Sequence, residues 1–267
     1  MAVKDGSIEP GTAPARTTKA RVGLGIDIGG SGVKGAPVDL ATGRFTADRL
    51  RIDTPNPSTP KAVAEVVRQI LDHFEWTGPY GCTLPAVVMH GVARTAANID
   101  AGWIDTDADE LFESITGRNS FLTNDADAAG LAEVRFGAAA GKPGTIVVTT
   151  LGTGIGSALI FDGVLVPNTE FGHLELDGYD AEKRAASSVK DAEGLSYKHW
   201  AKRLTRYYGA LENLLWPDLF VVGGGVSKDA AKFLPHIDVR TPIVAASLQN
   251  AAGIVGAAVL STERAEA

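Results

Sequence analysis

The chain has 267 residues, with 31 glycines, one cysteine, 45% hydrophobic and 21% charged residues, and a formal net charge of -7. This composition excludes a disordered chain, and a single cysteine excludes both an intrachain disulfide framework and a zinc site built on several cysteines. The acidic balance argues against a duplex nucleic-acid partner, and no apolar run is long enough to cross a bilayer, so we expect a cytoplasmic protein without a membrane partner.

Residues 1–20 are rich in Gly, Pro, Thr and Ala and predict a flexible leader. The β-branched run over 22–29, a glycine break and an extended pattern over 33–40 then predict an antiparallel hairpin. A third strand is predicted over 44–54, and a helix from about Pro60 to Trp76, where apolar residues recur at helical spacing.

The middle of the chain continues this alternation. The patterns predict a strand and turn over 82–95, a short helix over 109–117, a strand over 121–125 and a helix after it. The opening pattern then returns, with a strand over 145–152, a glycine turn, and a second strand over 157–163. A further strand over 219–225 ends in glycines, and an apolar helix closes the chain.

Two similar halves of this kind predict an α/β fold with mixed sheets and a cleft between two lobes. We expect a small lobe over 21–122, joined by the C-terminal helix 249–264, and a large lobe over 123–248. Ligands in open α/β sheets bind beyond the strand ends, which is where the glycine turns of this sequence fall.

Three glycine clusters follow predicted strands, and such turns present backbone N–H groups to an anion. Each cluster alone is compatible with a plain hairpin turn, but three in a two-half pattern favour phosphate. The candidate phosphate contacts are Gly29, Gly30, Ser31, Gly32, Lys34, Gly152, Thr153, Gly154, Gly224 and Gly225. No P-loop motif occurs, and no dinucleotide-binding GxGxxG follows the first strand.

Carboxylates stand near these turns. Asp27 directly precedes the first cluster, where it can hold Mg²⁺ through water or merely cap the turn. Asp125, with Asn124 before it, is either part of a helix N-cap or a general base at the cleft. Glu170 and His173 suit the recognition of sugar hydroxyls, although a lone histidine is more often structural.

These motifs occur in an order that resembles the ROK family of sugar kinases from about residue 22 onward. The segments that carry the resemblance are DIGG (27–30), ND (124–125), GTGIG (152–156), EFGH (170–173) and GGGVS (223–227). The resemblance implies a two-lobed actin-like (ribonuclease H-like) kinase fold. It implies a catalytic Asp125, sugar contacts at Asn124, Asp125, Glu170 and His173, and phosphate contacts in the three glycine turns.

The sequence departs from most family members after Glu175, because the cysteine-rich zinc motif is absent and no zinc site is expected. That motif ends in a sugar-binding glutamate, whose first candidate counterpart here is Glu193, with Glu175 behind it. The chain is similar in this respect to the actinobacterial branch that uses inorganic polyphosphate. This branch implies glucose as substrate, polyphosphate and ATP as donors and Mg²⁺ as cofactor, and leaves mannose open.

A basic segment offers an independent sign of a polyanion. Seven basic and two acidic side chains lie between Lys183 and Arg206, and Lys198, Lys202 and Arg206 fall on one face of a helix. The face is either a plain solvated surface or a guide for polyphosphate. The other basic residues of the segment are Lys183, Arg184, Lys190 and Arg203.

We therefore expect transfer of a phosphoryl group to the 6-hydroxyl of glucose, with Asp125 as the general base. The alternatives are a strictly ATP-dependent hexokinase of the same family, a sugar-sensing repressor and an actin-like ATPase. The repressor is disfavoured because the predicted leader is too short for a helix-turn-helix. The sequence leaves open whether the protein is a monomer or a homodimer.

Overall fold

The computed structural model describes residues 21–96 and 99–266, so the predicted leader over 1–20 falls outside the described part of the chain. The strands are β1 Val22–Gly29, β2 Gly32–Asp39, β3 Arg44–Phe45, β4 Leu50–Ile52, β5 Tyr80–Leu84, β6 Val88–Met89, β7 Val92–Ala93, β8 Ser120–Asn124, β9 Thr145–Leu151, β10 Ile155–Phe161, β11 Val164–Val166, β12 Glu175–Leu176, β13 Tyr179–Asp180, β14 Leu219–Gly223 and β15 Ile243–Ala245. The α-helices are α1 Pro60–His73, α2 Ala108–Thr116, α3 Asp125–Phe136, α4 Glu182–Ala185, α5 Ser187–Ala192, α6 Tyr197–Leu215 and α7 Ala252–Glu266. Short 3-10 helices span Ala101–Trp103, Phe171–His173, Gly225–Lys232, Leu234–His236 and Gln249–Ala251.

The first sheet has the order β3–β2–β1–β5–β8, with β4 also paired to β2. The predicted hairpin is confirmed, since β1 and β2 pair antiparallel from Val22 opposite Asp39 to Gly29 opposite Gly32. The third strand predicted over 44–54 is instead two short strands. The interruption falls beside Pro37 of β2, which has no N–H group to donate to a neighbouring strand.

Helix α1 begins as predicted, with Thr59 as the N-cap that accepts a hydrogen bond from Ala62 N. It ends at His73 rather than near Trp76, because the backbone at Glu75 enters the left-handed region with φ of 49°. Its apolar face is buried in a core that also contains Trp103.

The backbone of helix α7 packs directly against the backbone of the first sheet. A Cβ added at Gly25 of β1 would come within 1.8 Å of Ile254 O, and one at Gly81 of β5 within 2.0 Å of Ala257 O. Glycine is therefore required at both positions by the approach of the helix, which accounts for part of the high glycine content.

The second sheet has the order β11–β10–β9–β14–β15, in which β9 and β10 form the second predicted hairpin and β14 pairs parallel to β9. Helix α6 covers this sheet with a buried face that includes Trp200 and Tyr208. The helix predicted after β14 is a 3-10 helix in the structure, Gly225–Lys232.

Helix α3 connects the two sheets. Its Gly130 lies against Ala158 of the second sheet, and Ala128 O lies against Gly256 of α7. The alternation of strands and helices, the two mixed sheets and the cleft confirm the α/β fold predicted from the sequence. The boundaries of the two lobes remain a prediction. No helix in the described part of the chain is both long and apolar enough to cross a membrane.

Candidate active site

Asn124 and Asp125 stand where β8 ends and α3 begins. Asn124 Oδ1 accepts hydrogen bonds from Ala126 N at 2.8 Å and Asp127 N at 3.1 Å, and its Nδ2 donates to Ala86 O at 3.1 Å. The helix N-cap that the sequence allowed here is therefore present. It places Asp125 on the first turn of α3, where the helix dipole favours a negative charge.

Asp125 faces a cavity of about 150 Å³ that is lined from both sheets. Asp27 and Lys34 line it from β1 and β2, and Gly223 and Gly224 line it from the end of β14. The cavity therefore brings together the candidate base, the candidate magnesium ligand, one cation and the third glycine turn. The first and second glycine turns do not line it.

The carboxyl group of Asp125 has a pKa raised to about 6. Its burial in the cleft is the largest cause, followed by the negative charges of Asp27 and, more weakly, Glu170. The hydrogen bond from Ala126 N to Asp125 Oδ1, at 2.8 Å, acts in the opposite direction. A carboxylate with a pKa near neutrality is ionised at pH 7 and still basic enough to take a proton, as a general base requires.

Asp27 is held by its neighbours in the first sheet. Thr83 Oγ1 donates to Asp27 Oδ1 at 2.9 Å, and Lys34 Nζ lies 3.4 Å from Asp27 Oδ2. Carboxylate oxygens are preferred Mg²⁺ ligands, and Asp27 shares the cavity with Gly224. The residues present therefore fit the predicted magnesium site, with Lys34 as a second positive charge for phosphate.

The second and third glycine turns adjoin each other because β9 and β14 are parallel neighbours, with Gly223 paired to Thr150. Gly224 has φ of 81°, and a Cβ there would come within 2.4 Å of Leu151 O, so only glycine fits. Helix α5 lies on the second turn, where Ser188 Oγ donates to Thr153 O at 2.6 Å.

The first glycine turn lies in the other sheet and is joined by a cation that the sequence analysis did not identify. Arg51 Nη2 donates to Ser31 O at 2.8 Å, and the guanidinium group lies against Gly32. Thr54 Oγ1 donates to Gly29 O at 2.5 Å. These contacts link β4 and the segment after it to the turn, and only the pairing of β2 with β4 reveals them.

Four further polar residues line the cavity and were also missed: Glu133, Thr150, Gln249 and Asn250. Thr150 lies on β9 and the two amides lie in the 3-10 helix ahead of α7. Gln249 is in the left-handed region, with φ of 48°.

The predicted sugar contacts Glu170 and His173 lie together beside the short 3-10 helix Phe171–His173. His173 Nε2 is 3.9 Å from Glu170 Oε2, and His173 Nδ1 is 2.9 Å from Asp180 Oδ2. The hydrogen bond to Asp180 is the main cause of a raised pKa at His173. Partial burial raises the pKa of Glu170, while His173 opposes this effect.

Besides Asp180, the fold brings the acidic side chain of Glu182 to this group. Glu182 Oε2 accepts a hydrogen bond from Ile155 N at 3.2 Å, next to Gly154 of the second turn. Ligand atoms of His173, Asp180 and Glu182 all lie within 4.8 Å of one another, close enough for a metal ion. The expected absence of zinc therefore remains a prediction.

The two glutamates predicted to contact the sugar after the EFGH segment are both exposed. Glu193 pairs with Arg203, with Oε2 at 2.5 Å from Nη2, and this pair lowers the pKa of Glu193. Glu175 is exposed on β12. Within the described residues, no hydrogen bond or ion pair joins either glutamate to Glu170 or His173.

The basic segment is partly neutralised. Arg203 pairs with Glu193, and Arg206 pairs with Asp177 through two contacts of 2.8 and 3.0 Å. Lys190 Nζ lies 2.5 Å from Asp191. Within the described ranges, the exposed side chains of Lys198 and Lys202 form no ion pair, so these two lysines carry what remains of the predicted polyanion surface on α6.

Two mixed sheets, glycine turns at their strand ends and a carboxylate at the base of the cleft define a two-lobed kinase of the actin-like fold. A family model described as the ROK family matches residues 23–193, and the chain belongs to this family. The chain is 54% identical over 254 residues to a polyphosphate glucokinase of Mycobacterium tuberculosis, covering 95% of this chain and 96% of that protein.

Solved structures agree on the fold. An inorganic polyphosphate/ATP-glucomannokinase from Arthrobacter sp. strain KM matches with a TM-score of 0.86 and 49% identity, over 91% of this chain and 99% of that one. A ROK family glucokinase from Streptomyces griseus, solved with glucose and AMPPNP, matches with a TM-score of 0.78 and 22% identity, over 91% and 100% of the two chains. The predicted family and fold are both confirmed.

Proposed function

We propose that this protein is a glucokinase that transfers the terminal phosphoryl group of inorganic polyphosphate, and of ATP, to the 6-hydroxyl of glucose. The observation that carries the proposal is the 54% identity to a polyphosphate glucokinase over 95% of the chain. The cleft supports the proposal, because three features line one cavity. They are Asp125, whose pKa is raised, Asp27, whose carboxylate suits Mg²⁺, and the glycine turn at Gly224.

Asp125 is the proposed general base. The glucose hydroxyl approaches the terminal phosphorus of the donor while Asp125 accepts the hydroxyl proton, so that the oxygen attacks as negative charge develops on it. The leaving oxygen keeps the electron pair of the broken P–O bond. Asn124 holds Asp125 in place through the helix cap, and its Nδ2 has a second hydrogen for a sugar hydroxyl.

Glu170, His173 and Glu182 are the proposed sugar contacts on the large-lobe side. Carboxylates accept hydrogen bonds from sugar hydroxyls, and an imidazole can accept or donate one. The 3.9 Å between His173 Nε2 and Glu170 Oε2 suits neighbouring hydroxyls of one ring. Glu182 replaces Glu193 and Glu175 in this proposal, because a carboxylate oxygen of Glu182 lies within 4.8 Å of ligand atoms of His173 and Asp180.

The donor phosphates are proposed to lie between Lys34 and the glycine turns. Backbone N–H groups and the ammonium group neutralise phosphate oxygens in a cleft of low dielectric, where such interactions are strong. Mg²⁺ held at Asp27 would neutralise further negative charge on the donor. Lys34 and the turns bind and orient the donor, so that positioning and electrostatics supply most of the rate.

A coupled assay for glucose 6-phosphate tests the proposal with polyphosphate and with ATP, each with glucose and with mannose. We expect product from glucose with polyphosphate. Product with ATP alone would identify a strictly ATP-dependent hexokinase, and no product with either donor would reject the kinase. Asp125→Asn should keep the fold and glucose binding and lose at least about a hundredfold in kcat, the range that a general base contributes.

A further inference from the structure

Asn168 joins the two lobes through both ends of its amide. Asn168 Oδ1 accepts a hydrogen bond from Val88 N at 3.0 Å, and Asn168 Nδ2 donates to Val88 O at 2.9 Å. Val88 belongs to the core of the first sheet, whereas Asn168 follows β11 of the second sheet. One side chain thus pairs with the backbone of the opposite lobe as a strand would.

Asp127 holds Asn168 in the conformation that this pairing needs. The backbone of Asn168 is left-handed, with φ of 59°, which asparagine tolerates better than most residues. Asp127 Oδ2 accepts the Asn168 N–H at 2.8 Å. Asp127 lies two positions after Asp125 on α3, so the connection begins beside the candidate base.

The buried carboxyl group of Asp127 lowers the stability of the fold. It is 1% exposed, and within the described residues its Oδ1 has no hydrogen-bond partner. Asp125 and Glu170 both add negative charge, while Arg264 of α7 is the opposing cation. A buried polar atom without a partner lowers stability, and such an atom in a folded protein calls for an explanation.

The connection reaches sugar-site residues on both sides. Asn168 precedes Glu170 by two positions and His173 by five. On the other side, Ala86 O accepts the Asn124 amide at 3.1 Å, two residues before Val88. The segment 86–88 is therefore held from one end by Asn124 and from the other by Asn168.

We propose that Asp127 and Asn168 are positioning residues that fix Glu170 and His173 of one lobe against segment 86–88 of the other, and thereby set the affinity for the sugar. This rests on the proposed function. Groups fixed before a ligand binds lose less freedom on binding, so releasing them weakens affinity without removing a contact. Asp125 and the phosphate contacts keep their own supports, which separates sugar affinity from turnover.

Asn168→Gly removes the amide and keeps the left-handed backbone. We expect the glucose KM to rise about tenfold, the effect of losing one or two net hydrogen bonds, with kcat changed by less than about threefold. Glu75→Gly is the matched control, because Glu75 is also left-handed, with φ of 49°, and lies in the turn after α1. An unchanged glucose KM in folded Asn168→Gly would overturn the proposal.

Asp127 supplies a rescue test. Asp127→Asn keeps an oxygen that can accept the Asn168 N–H, whereas Asp127→Ala does not, so only the alanine variant should raise the glucose KM. Equal increases in both variants would exclude the hydrogen bond as the cause. Where the alanine variant does not fold, Asn168→Gly and Asp127→Asn decide the matter.

Hydrogen exchange makes the test independent of activity. In Asn168→Gly the Val88 amide should exchange faster than in the wild type, and in Asp127→Ala the Asn168 amide should do so. Unchanged exchange at Val88 would show that the side chain does not hold the lobes together. Wild-type protein without kinase activity would remove the proposed function and the sugar-affinity claim, while exchange at Val88 would still decide whether the connection exists.

Discussion

Asp180 Oδ2 lies 2.9 Å from His173 Nδ1, which leaves Nε2 of the same ring facing Glu170. The Asp180 carboxylate orients the imidazole and favours a proton on Nδ1, the nitrogen that faces it. Because Asp180 raises the pKa of His173, the ring is more readily protonated than a free imidazole. His173 can then donate from Nε2 to an oxygen of a ligand or of Glu170.

Asp180→Asn should therefore lower the pKa of His173, since the amide cannot stabilise the imidazolium charge as the carboxylate does. The expected glucose KM is severalfold higher at pH 7, on the scale of one charge-assisted hydrogen bond. NMR titration of the histidine ring protons measures the first effect and steady-state kinetics the second. The other four histidine resonances serve as internal controls, and an unshifted His173 would contradict the assignment.

The pH dependence of the reaction should report Asp125. Its pKa is raised to about 6, and only the ionised form accepts a proton. The value of kcat/KM for glucose should thus fall by about tenfold per pH unit below about pH 6 and be level above it. The measurement is a profile from about pH 5 to about pH 8, with the remaining activity of Asp125→Asn as control. A full rate at pH ~5 would be incompatible with Asp125 as the base.

Local patterns in the sequence predicted the fold well. The hairpins β1–β2 and β9–β10 follow from β-branched runs broken by glycine. Helix α1 follows from apolar spacing after a start signal before Pro60, and α2 from a short run that ends at Gly117. Each of these features depends on residues close together in the chain. Asn124 and Asp125 could be predicted as a pair for the same reason, because the strand ends at Asn124 and the helix begins at Asp125.

Contacts between segments that are distant along the chain could not be predicted from the sequence. Glu182 reaches Ile155 across 27 positions, and Arg51 reaches Ser31 across 20. Glu193 was chosen by its order along the chain, but α6 places Arg203 against it. The role of Gly25 and Gly81 could not be predicted either, because it depends on the packing of α7 against the strands that contain them.

Substitution of the three candidate glutamates distinguishes their roles. Glu182→Gln should raise the glucose KM by about tenfold, because a neutral amide forms weaker hydrogen bonds to hydroxyls than a carboxylate does. Glu193→Gln and Glu175→Gln should leave it within about twofold, as expected for exposed surface positions. Thermal melting of all three variants checks that the fold is kept. A raised KM in Glu193→Gln alone would restore the sequence prediction.

The two lysines of α6 that form no ion pair within the described ranges test the polyanion surface. Lys198→Glu combined with Lys202→Glu should raise the KM for long polyphosphate by about tenfold or more. With two cations fewer on the protein, fewer counterions are released from polyphosphate when it binds. The ATP KM should change little, since a short donor is held by Lys34 and the glycine turns.

Salt dependence and a matched variant complete this test. The double variant should show a shallower dependence of polyphosphate KM on ionic strength than the wild type, because fewer phosphates are neutralised. Lys61→Glu combined with Lys142→Glu is the control, since it makes the same charge change at exposed positions on other segments. If both double variants lose polyphosphate affinity equally, net charge rather than α6 governs the donor, and Lys198 and Lys202 belong to a plain solvated surface.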